Sequence, residues 1–323
     1  MGLPYAVVRR LAAVRAAVEP PVRRVLFGAG PSWRRQANVL PWLDAPDADA
    51  KAAASGADAP WLRQWVRDGY VVADGLVDAA DVDAMLATLD GLWDAPAPIP
   101  HLDLLGLRDV RGGEQYTLSH EALLARPPGE RARIRAASDW RIHGFHYVNA
   151  SARRLFGNRR LRATASRLLG RRARPFAAIN FMCGSQQDLH QDMGVFHVWP
   201  QNWLLGAWIA CEDVAADSGP LVLYPGSHRA PFFPGFADYP QTNLRTADAA
   251  GTAAYHRYVE KVAARFPRKE FLATKGQVLF WHGMLVHGGA PVARPGSTRK
   301  SMVLHYTVRG ADRAREVQGP FRW

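Results

Sequence analysis

The spacing of hydrophobic positions changes along the chain, from a helical period near the amino terminus to strand-like runs in the second half. Val7, Leu11, Val14 and Val18 recur every three or four residues, and Pro20 follows them. This spacing predicts a short amphipathic helix with a basic opposite face. Residues 42–60 are small, polar and without a period, which predicts a linker.

From residue 61 the pattern predicts further regular elements. Helices are predicted over 61–68, 81–93 and 150–170, and a strand is predicted over 70–73. We therefore expect residues 1–55 to form a basic N-terminal arm and linker, and residues 56–323 to form one domain.

After Pro175 short apolar runs alternate with turn residues. The predicted strands cover 176–183, 204–212, 220–224, 277–281 and 301–308. Several short strands without long helices between them favour an antiparallel sandwich or barrel over a parallel sheet. The expected fold class is mainly β with flanking helices.

The net charge of the chain says less about its function than its magnitude suggests. The 323 residues carry a formal net charge of +12. Seven arginines lie in residues 1–35 and nine in residues 150–175, where we expect a solvated helical face. The β-rich half lies outside both segments, so no nucleic-acid partner is expected. We expect the arm to pack on its own domain or on a second subunit, or to contact a membrane surface. The sequence does not determine the oligomeric state.

Cysteine usage and the amino terminus bear on the compartment. Cys183 and Cys211 lie in apolar strand-like runs and are too few for a disulfide framework or a thiolate metal site. No apolar run is long enough for a membrane-spanning helix, and the first residues lack the apolar core of a signal peptide. A cytoplasmic protein with free thiols is expected.

His190 and Asp192 are the first candidates for chemistry, because alternate residues of an extended segment face the same side. His287, at the end of a distant strand-like run, offers a third ligand. Two histidines and a carboxylate leave three positions open on an octahedral ion, as in non-haem Fe(II) oxygenases. Zinc more often has a closed tetrahedral set, or three ligands and a water. By itself a His-x-Asp pair is more often a turn or surface pair.

The surroundings of these residues resemble the phytanoyl-CoA dioxygenase family of Fe(II)- and 2-oxoglutarate-dependent oxygenases. The resemblance covers about residues 60–310 and rests on segments in the family's order. These are RDGYVVADGLVDAADVDAML (67–86), SQQDLHQDMGVF (185–196), GAWIACEDVAADSGPLVLYPGSH (206–228), KGQVLFWHGMLVHGGA (275–290) and TRKSMVLHYT (298–307). It implies a double-stranded β-helix, also called a jelly-roll or cupin-like core, and an enzyme that uses Fe(II), 2-oxoglutarate and O2.

The same resemblance implies roles for individual residues. His190, Asp192 and His287 match the iron ligands, and Arg299 matches the arginine that holds the distal carboxylate of 2-oxoglutarate. The planar guanidinium suits bidentate recognition of a carboxylate. Arg294 is the rival, but its turn should be solvated.

Other residues near the motifs have two interpretations. Gln191 and Trp208 match family positions that contact the co-substrate, although Trp208 is equally typical of a core aromatic. His282 competes with His287, but the ligand in the family directly precedes the glycine-rich turn, so His282 is expected to be structural or to support the ligands from behind. Further histidines lie near the motifs and are candidates for substrate contact or for packing, namely His143, His146, His197 and His228.

The resemblance also bears on the reaction. Relatives that halogenate have a small residue in place of the carboxylate ligand, so Asp192 favours hydroxylation or another oxidation such as desaturation. The expected substrate is a small molecule, a lipid or a secondary metabolite, with residues 101–147 and 229–268 as lid and pocket walls. The alternative is a catalytically silent jelly-roll protein that binds a metal or ligand.

Overall fold

The structure is a computed structural model that describes residues 47–196, 198–199, 202–236, 239, 242–309 and 311–313. The helix predicted over residues 7–18, the basic segment 1–35 and His197 lie outside the described residues. Among the helices that are described, none has the length and apolar character needed to cross a membrane.

The described residues form α-helices, most of them before residue 170, and short strands. The helices are α1 (Ala48–Ala53), α2 (Ala59–Asp68), α3 (Ala79–Asp90), α4 (His120–Leu124), α5 (Pro128–Ala137), α6 (Ala150–Phe156), α7 (Arg159–Leu169) and α8 (Ala249–Ala263). The strands are β1 (Tyr70–Ala73), β2 (Asp103–Leu107), β3 (Tyr116–Ser119), β4 (Arg141–His143), β5 (Ala173–Phe181), β6 (Val198–Trp199), β7 (Leu205–Ala210), β8 (Leu221–Leu223), β9 (Lys269–Phe271), β10 (Val278–His282), β11 (His287–Gly289), β12 (Ser301–Val308) and β13 (Asp312–Arg313).

Two antiparallel sheets build the core. The larger has the strand order β1-β10-β7-β12-β5-β4-β2-β3, and the smaller has the order β11-β8-β9. One cluster of buried side chains joins them and includes Trp208 and Leu279 from the larger sheet and Leu223 and Phe271 from the smaller. The sheets therefore face each other as in a jelly roll, and the predicted fold class is confirmed.

Strand β12 is buried on both faces, and successive residues along it pack into two different cores. Val303 packs inside the barrel. Met302, Leu304 and Tyr306 belong to a second cluster that the helices cover. Since neighbouring residues of a strand face opposite sides, this alternation places the side chains of Ser301, Val303 and His305 in the barrel interior.

The predicted helix 61–68 and strand 70–73 are confirmed as α2 and β1. Gly69 ends α2 with a φ of 75°, a left-handed conformation that glycine adopts without strain. The predicted helix 81–93 corresponds to α3 and a following turn of 3-10 helix, Leu92–Asp94. The predicted helix 150–170 divides into α6 and α7, because the side chain of Asn158 caps α7 by accepting hydrogen bonds from two backbone amides.

The five predicted strands of the second half are confirmed as β5, β7, β8, β10 and β12. The prediction missed several shorter strands, among them β2, β4, β9 and β11, which have three to five residues each. β4, β9 and β11 pair with strands distant in the sequence, whereas β2 pairs mainly with the next strand, β3. The few residues of each strand show little alternation.

The interpretation of residues 42–60 as a linker is wrong for the part that the structure describes. Residues Ala48–Ala53 form α1, in which Ala48 and Ala52 are buried in the core. Alanine has the highest helix propensity, and positions four residues apart share a helix face. Small residues were therefore a helix signal here, and the domain boundary after residue 55 stays a prediction.

The arginine-rich segment is solvated, as predicted for residues 150–175. Eight of its arginines are exposed and Arg162 is half-buried. Arg154 pairs with Asp81, and Arg167 pairs with Asp58. Exposed pairs of this kind contribute little to stability.

Both cysteines are free thiols, as expected. Burial raises the pKa of Cys211 to about 12 and that of Cys183 to about 11. Both remain protonated at neutral pH, which makes them poor nucleophiles and poor metal ligands.

The assignment of α1 to the folded domain can be tested with two aspartates on one helix. Ala52→Asp places a carboxylate in the core and should lower the free energy of unfolding by at least about 2 kcal/mol. Ala53→Asp, at an exposed position, should change it by less than about 0.5 kcal/mol. Chemical denaturation measures both, and equal effects would show that α1 does not pack on the domain.

Candidate metal centre

His190 and His287 lie opposite each other on neighbouring extended segments. The amide of His190 donates to the carbonyl of His287 at 2.9 Å, and the amide of His287 donates back at 3.0 Å. Side chains of such a pair project from the same face. The two imidazole centroids are accordingly 4.3 Å apart.

Asp192 completes a compact group with these histidines. Its Oδ1 lies 3.8 Å from His190 Nε2 and 3.7 Å from His287 Nε2. The three ligand atoms lie within 4.8 Å of one another, and among the described residues this is the group of histidine, cysteine or carboxylate side chains suited to hold a metal. Two ligands about 2.1 Å from one ion lie up to about 4 Å apart, and the separations of 3.8 Å and 3.7 Å between Asp192 and the two histidines fit a single cation.

Backbone carbonyls set the tautomers of both imidazoles. His190 Nδ1 lies 2.7 Å from the carbonyl of Asp188, and His287 Nδ1 lies 2.9 Å from the carbonyl of Leu285. A carbonyl only accepts hydrogen bonds, so each Nδ1 carries the proton. In the neutral form of either ring, Nε2 then has its lone pair on the side of Asp192, which is the orientation that metal-bound histidines adopt.

The electrostatics keep the group in its ligating form. Burial lowers the pKa of His287 to about 4, so its imidazole is neutral at pH 7. Burial opposes ionisation of Asp192, but Coulombic attraction to the protonated forms of His305 and His287 and the hydrogen bond with His305 outweigh it and hold the pKa of this carboxyl below its usual value. The site therefore presents one carboxylate and at least one neutral imidazole.

Arg299 is a buried cation without an acidic partner among the described residues. Its side chain is 1% exposed, and burial lowers its pKa to about 10, so it stays protonated at neutral pH. Nη2 donates to Ser185 at 3.3 Å, whereas Nε and Nη1 have no acceptor in the described structure. Such a charge is costly unless an anion pairs with it.

Two further buried donors lie on the paired strands β7 and β12. Trp208 is 1% exposed, and its ring lies 5.9 Å from the guanidinium carbon of Arg299. Within the described residues its Nε1 has no acceptor, and neither has the hydroxyl of Ser301. Trp208 packs on Phe271 in the inner core, so it is a core aromatic that also turns an unpaired N–H toward the interior.

Gln191 and Arg294 differ from the other candidates. The side-chain amide of Gln191 is fully buried and donates to the carbonyl of Met284 at 2.8 Å. It ties the segment of His190 to the segment that precedes His287, and its contact with a co-substrate stays a prediction. Arg294 lies on the surface and pairs with Asp217 at 3.2 Å, as its solvated turn predicts.

The other predicted histidines lie outside the ligand group. His282 Nδ1 accepts from the amide of Met284 at 3.1 Å, and His228 Nε2 donates to the carbonyl of Val66 at 3.2 Å near the end of α2. His146 stacks on Phe156 with centroids 3.8 Å apart, as a core residue does.

His143 is placed differently from these histidines. It lies on β4 in register with Ile179, which packs on the inner core. The shared face directs His143 toward the barrel interior.

Sequence analysis missed two residues that contact Asp192. Trp281 Nε1 donates to Asp192 Oδ2 at 2.8 Å, and His305 Nε2 lies 3.3 Å from the same oxygen. The parity of β12 was an available signal, since His305 follows Arg299 by an even number of residues. No local pattern pointed to Trp281.

Tyr255 on α8 holds the backbone between His190 and Asp192. Its hydroxyl accepts from the amide of Gln191 at 2.9 Å and donates to the carbonyl of Gln191 at 3.2 Å. Its ring also fills the space beside Gly194, where a Cβ would lie 2.8 Å from the hydroxyl oxygen. The segment 229–268 thus contributes directly to the shape of the site.

The chain matches one protein family over most of its length. The family model described as Phytanoyl-CoA dioxygenase (PhyH) matches residues 65–301. The peroxisomal phytanoyl-CoA dioxygenase of Rattus norvegicus is 31% identical over 122 residues, which are 38% of this chain and 33% of that protein. A probable phytanoyl-CoA dioxygenase of Caenorhabditis elegans is 28% identical over 135 residues, which are 42% of this chain and 40% of that protein. The matches span between a third and two fifths of these relatives.

Solved structures show the same fold. The epimerase SnoN in complex with Fe3+, alpha ketoglutarate and nogalamycin RO has a TM-score of 0.55 and 21% identity, covering 86% of this chain and 90% of that one. The carbocyclase SnoK from nogalamycin biosynthesis has a TM-score of 0.56 and 18% identity, with 83% and 90% covered. EctD from S. alaskensis with 2-oxoglutarate and 5-hydroxyectoine has a TM-score of 0.51 and 19% identity, with 83% and 80% covered.

The contribution of Tyr255 can be measured by removing one oxygen. Tyr255→Phe leaves a buried amide and carbonyl of Gln191 without partners and should lower the free energy of unfolding by about 1–3 kcal/mol. Tyr258→Phe is the matched control on α8, because its hydroxyl donates to the carbonyl of Pro231 in an exposed setting. Chemical denaturation should show a smaller loss for the control; a larger one would contradict this role of Tyr255.

Proposed function

Because the chain belongs to the phytanoyl-CoA dioxygenase family, we propose that it is a non-haem Fe(II)- and 2-oxoglutarate-dependent dioxygenase. It oxidises a C–H bond of a small molecule, a lipid or a secondary metabolite and releases succinate and CO2. The observation that carries the proposal is the His190, Asp192 and His287 group in the same barrel as an unpaired, buried Arg299.

The donor set fits iron. Two imidazole nitrogens and one carboxylate oxygen form the 2-His-1-carboxylate arrangement, in which three coordination positions stay open. His190, Asp192 and His287 would hold the ion through Nε2, Oδ1 and Nε2. Carbonyls of Asp188 and Leu285 fix the orientation of the two imidazoles before any metal arrives.

The barrel interior fits a dicarboxylate co-substrate. Arg299 Nε and Nη1 are donors without acceptors among the described residues, and so are Trp208 Nε1 on β7 and the Ser301 hydroxyl on the paired strand β12. A carboxylate accepts hydrogen bonds from several donors and neutralises the buried guanidinium. Arg299 would hold the distal carboxylate of 2-oxoglutarate, and Trp208 would form the wall beside it.

Bound iron and 2-oxoglutarate would supply the oxidation of a C–H bond by O2, which no side chain can perform. The residues of the chain bind, orient and exclude water. Phe176 and Phe196 pack against each other and against the imidazole of His305, which lies 3.3 Å from Asp192 Oδ2. This apolar shell keeps bulk water from the reacting atoms. Because Asp192 is present and belongs to the ligand group, hydroxylation or a related oxidation is favoured over halogenation.

Two segments provide the pocket walls in this proposal. Strands β2, β3 and β4 extend the larger sheet beyond β5, so residues 101–147 add inner-face side chains such as His143. The segment 229–268 contributes α8. These walls select the substrate, which we place among small molecules, lipids and secondary metabolites.

The ligand assignment is tested by three alanine variants. His190→Ala, Asp192→Ala and His287→Ala should each abolish the weak visible charge-transfer band that forms when Fe(II) and 2-oxoglutarate are added without oxygen, and should abolish succinate formation. His256→Ala, a half-buried histidine on α8 outside the group, should keep both. Full activity in one ligand variant would remove that residue from the set. Absence of the band and of succinate in the wild type would favour the catalytically silent alternative.

The co-substrate assignment is tested by two arginines five residues apart. Arg299→Gln leaves a carboxylate without its cation and should weaken 2-oxoglutarate binding about a hundredfold, or about 2.7 kcal/mol. Arg294→Gln changes an exposed arginine and should leave the affinity unchanged. Titration of the charge-transfer band measures both, and the reverse order of effects would assign the carboxylate to Arg294.

A further inference from the structure

The two carboxylate oxygens of Asp192 have different surroundings. Oδ1 faces the Nε2 atoms of His190 and His287 at 3.8 Å and 3.7 Å. Oδ2 faces the opposite side, where Trp281 Nε1 lies at 2.8 Å and His305 Nε2 at 3.3 Å. The carboxylate is 3% exposed, so water does not compete for either oxygen.

The donors to Oδ2 come from one row across the larger sheet. Trp281 on β10 and His305 on β12 are both in register with Gly206 on the strand between them, β7. Facing residues of adjacent antiparallel strands project from the same side. The indole ring and the imidazole ring stand perpendicular, with centroids 6.2 Å apart.

Gly206 is required at the centre of this row. A Cβ on Gly206 would lie 2.2 Å from the Cε2 and Cζ2 atoms of Trp281, which no packed structure accommodates without moving the indole. The missing side chain lets the ring of Trp281 lie over β7, where its N–H reaches Asp192.

The indole N–H can only donate, so its bond to Oδ2 has one possible direction. That bond and the contact with His305 occupy the lone pairs of Oδ2, while Oδ1 keeps its lone pairs toward the two histidines. A carboxylate free to rotate can instead bind a metal through both oxygens and take up one more coordination position.

We propose that Trp281, Gly206 and His305 form a cradle that makes Asp192 a one-oxygen ligand. The cradle positions the carboxylate, and it keeps three coordination positions of the metal available. The inference rests on the proposed function for what fills those positions, whereas the coordination of Asp192 itself is measurable with metal alone.

The test uses the protein loaded with Co(II), whose visible spectrum reports coordination number. Trp281→Phe keeps an aromatic ring but removes the N–H. It should change the Co(II) bands toward a higher coordination number and weaken 2-oxoglutarate binding about tenfold, the scale typical of lost partners of a metal ligand. Isothermal titration calorimetry measures the affinity.

Trp93→Phe is the matched control. Trp93 is a buried tryptophan that packs on Trp140, and its N–H has no partner in the described structure. This variant makes the same chemical change without touching Asp192, and both readouts should stay as in the wild type. Equal spectra and affinities for Trp281→Phe and Trp93→Phe would overturn the proposal.

His305 and Gly206 give independent variants if Trp281→Phe folds poorly. His305→Gln keeps an N–H donor at the reach of Nε2 and should retain the wild-type spectrum, whereas His305→Leu should change it. Gly206→Ala should displace the indole and give the spectrum of Trp281→Phe. If His305→Leu and Gly206→Ala both keep the wild-type spectrum, the proposal that these residues orient Asp192 is wrong.

The outcomes also separate this inference from the proposed function. If the variants change the Co(II) spectrum as expected but the wild-type protein with iron forms no succinate, the role of the cradle is supported and the proposed dioxygenase activity is contradicted. If the wild type forms succinate but the variants leave the Co(II) spectrum unchanged, the dioxygenase activity is supported and the role of the cradle is contradicted. Failure of the wild type to bind Co(II) overturns both.

Discussion

The site depends on the reciprocal pair of backbone hydrogen bonds that joins His190 to His287. The two histidines are far apart in the sequence, and no side-chain contact would bring them together without this pairing of extended segments. The pair aligns the imidazoles on one face, and carbonyls two residues earlier in each segment then fix their tautomers. The hydroxyl of Tyr255 accepts a hydrogen bond from the backbone amide of Gln191, and the side chain of Gln191 donates to the carbonyl of Met284. These two bonds hold the backbone beside the ligands in place.

The barrel interior combines apolar packing with a few charged or polar groups that lack partners. Placing Arg299 and Asp192 in a region of low dielectric is expensive unless each meets an opposite charge or a set of donors. Asp192 meets donors from β10 and β12, whereas Arg299 retains unpaired N–H groups. An anionic ligand at Arg299 would neutralise the buried charge and accept from these N–H groups.

Much of this arrangement was open to prediction from local patterns. The His-x-Asp spacing, the five strands of the second half, α2 and the solvated turn of Arg294 all rest on features a few residues long, whereas the role of Arg299 followed from the family resemblance. The linker interpretation of residues 42–60 failed because small residues suit both a loop and a helix. Only the packing of Ala52 against the domain decides between them.

The sequence alone determined which residue types could bind a metal and which strands carried them, because side-chain alternation and turn chemistry are local. The tertiary structure alone decided how the two oxygens of Asp192 differ. Trp281, Gly206 and His305 lie on three strands, and only their cross-strand register places them in one row. Register arises from hydrogen bonds between segments distant along the chain, so a local pattern carries no information about it.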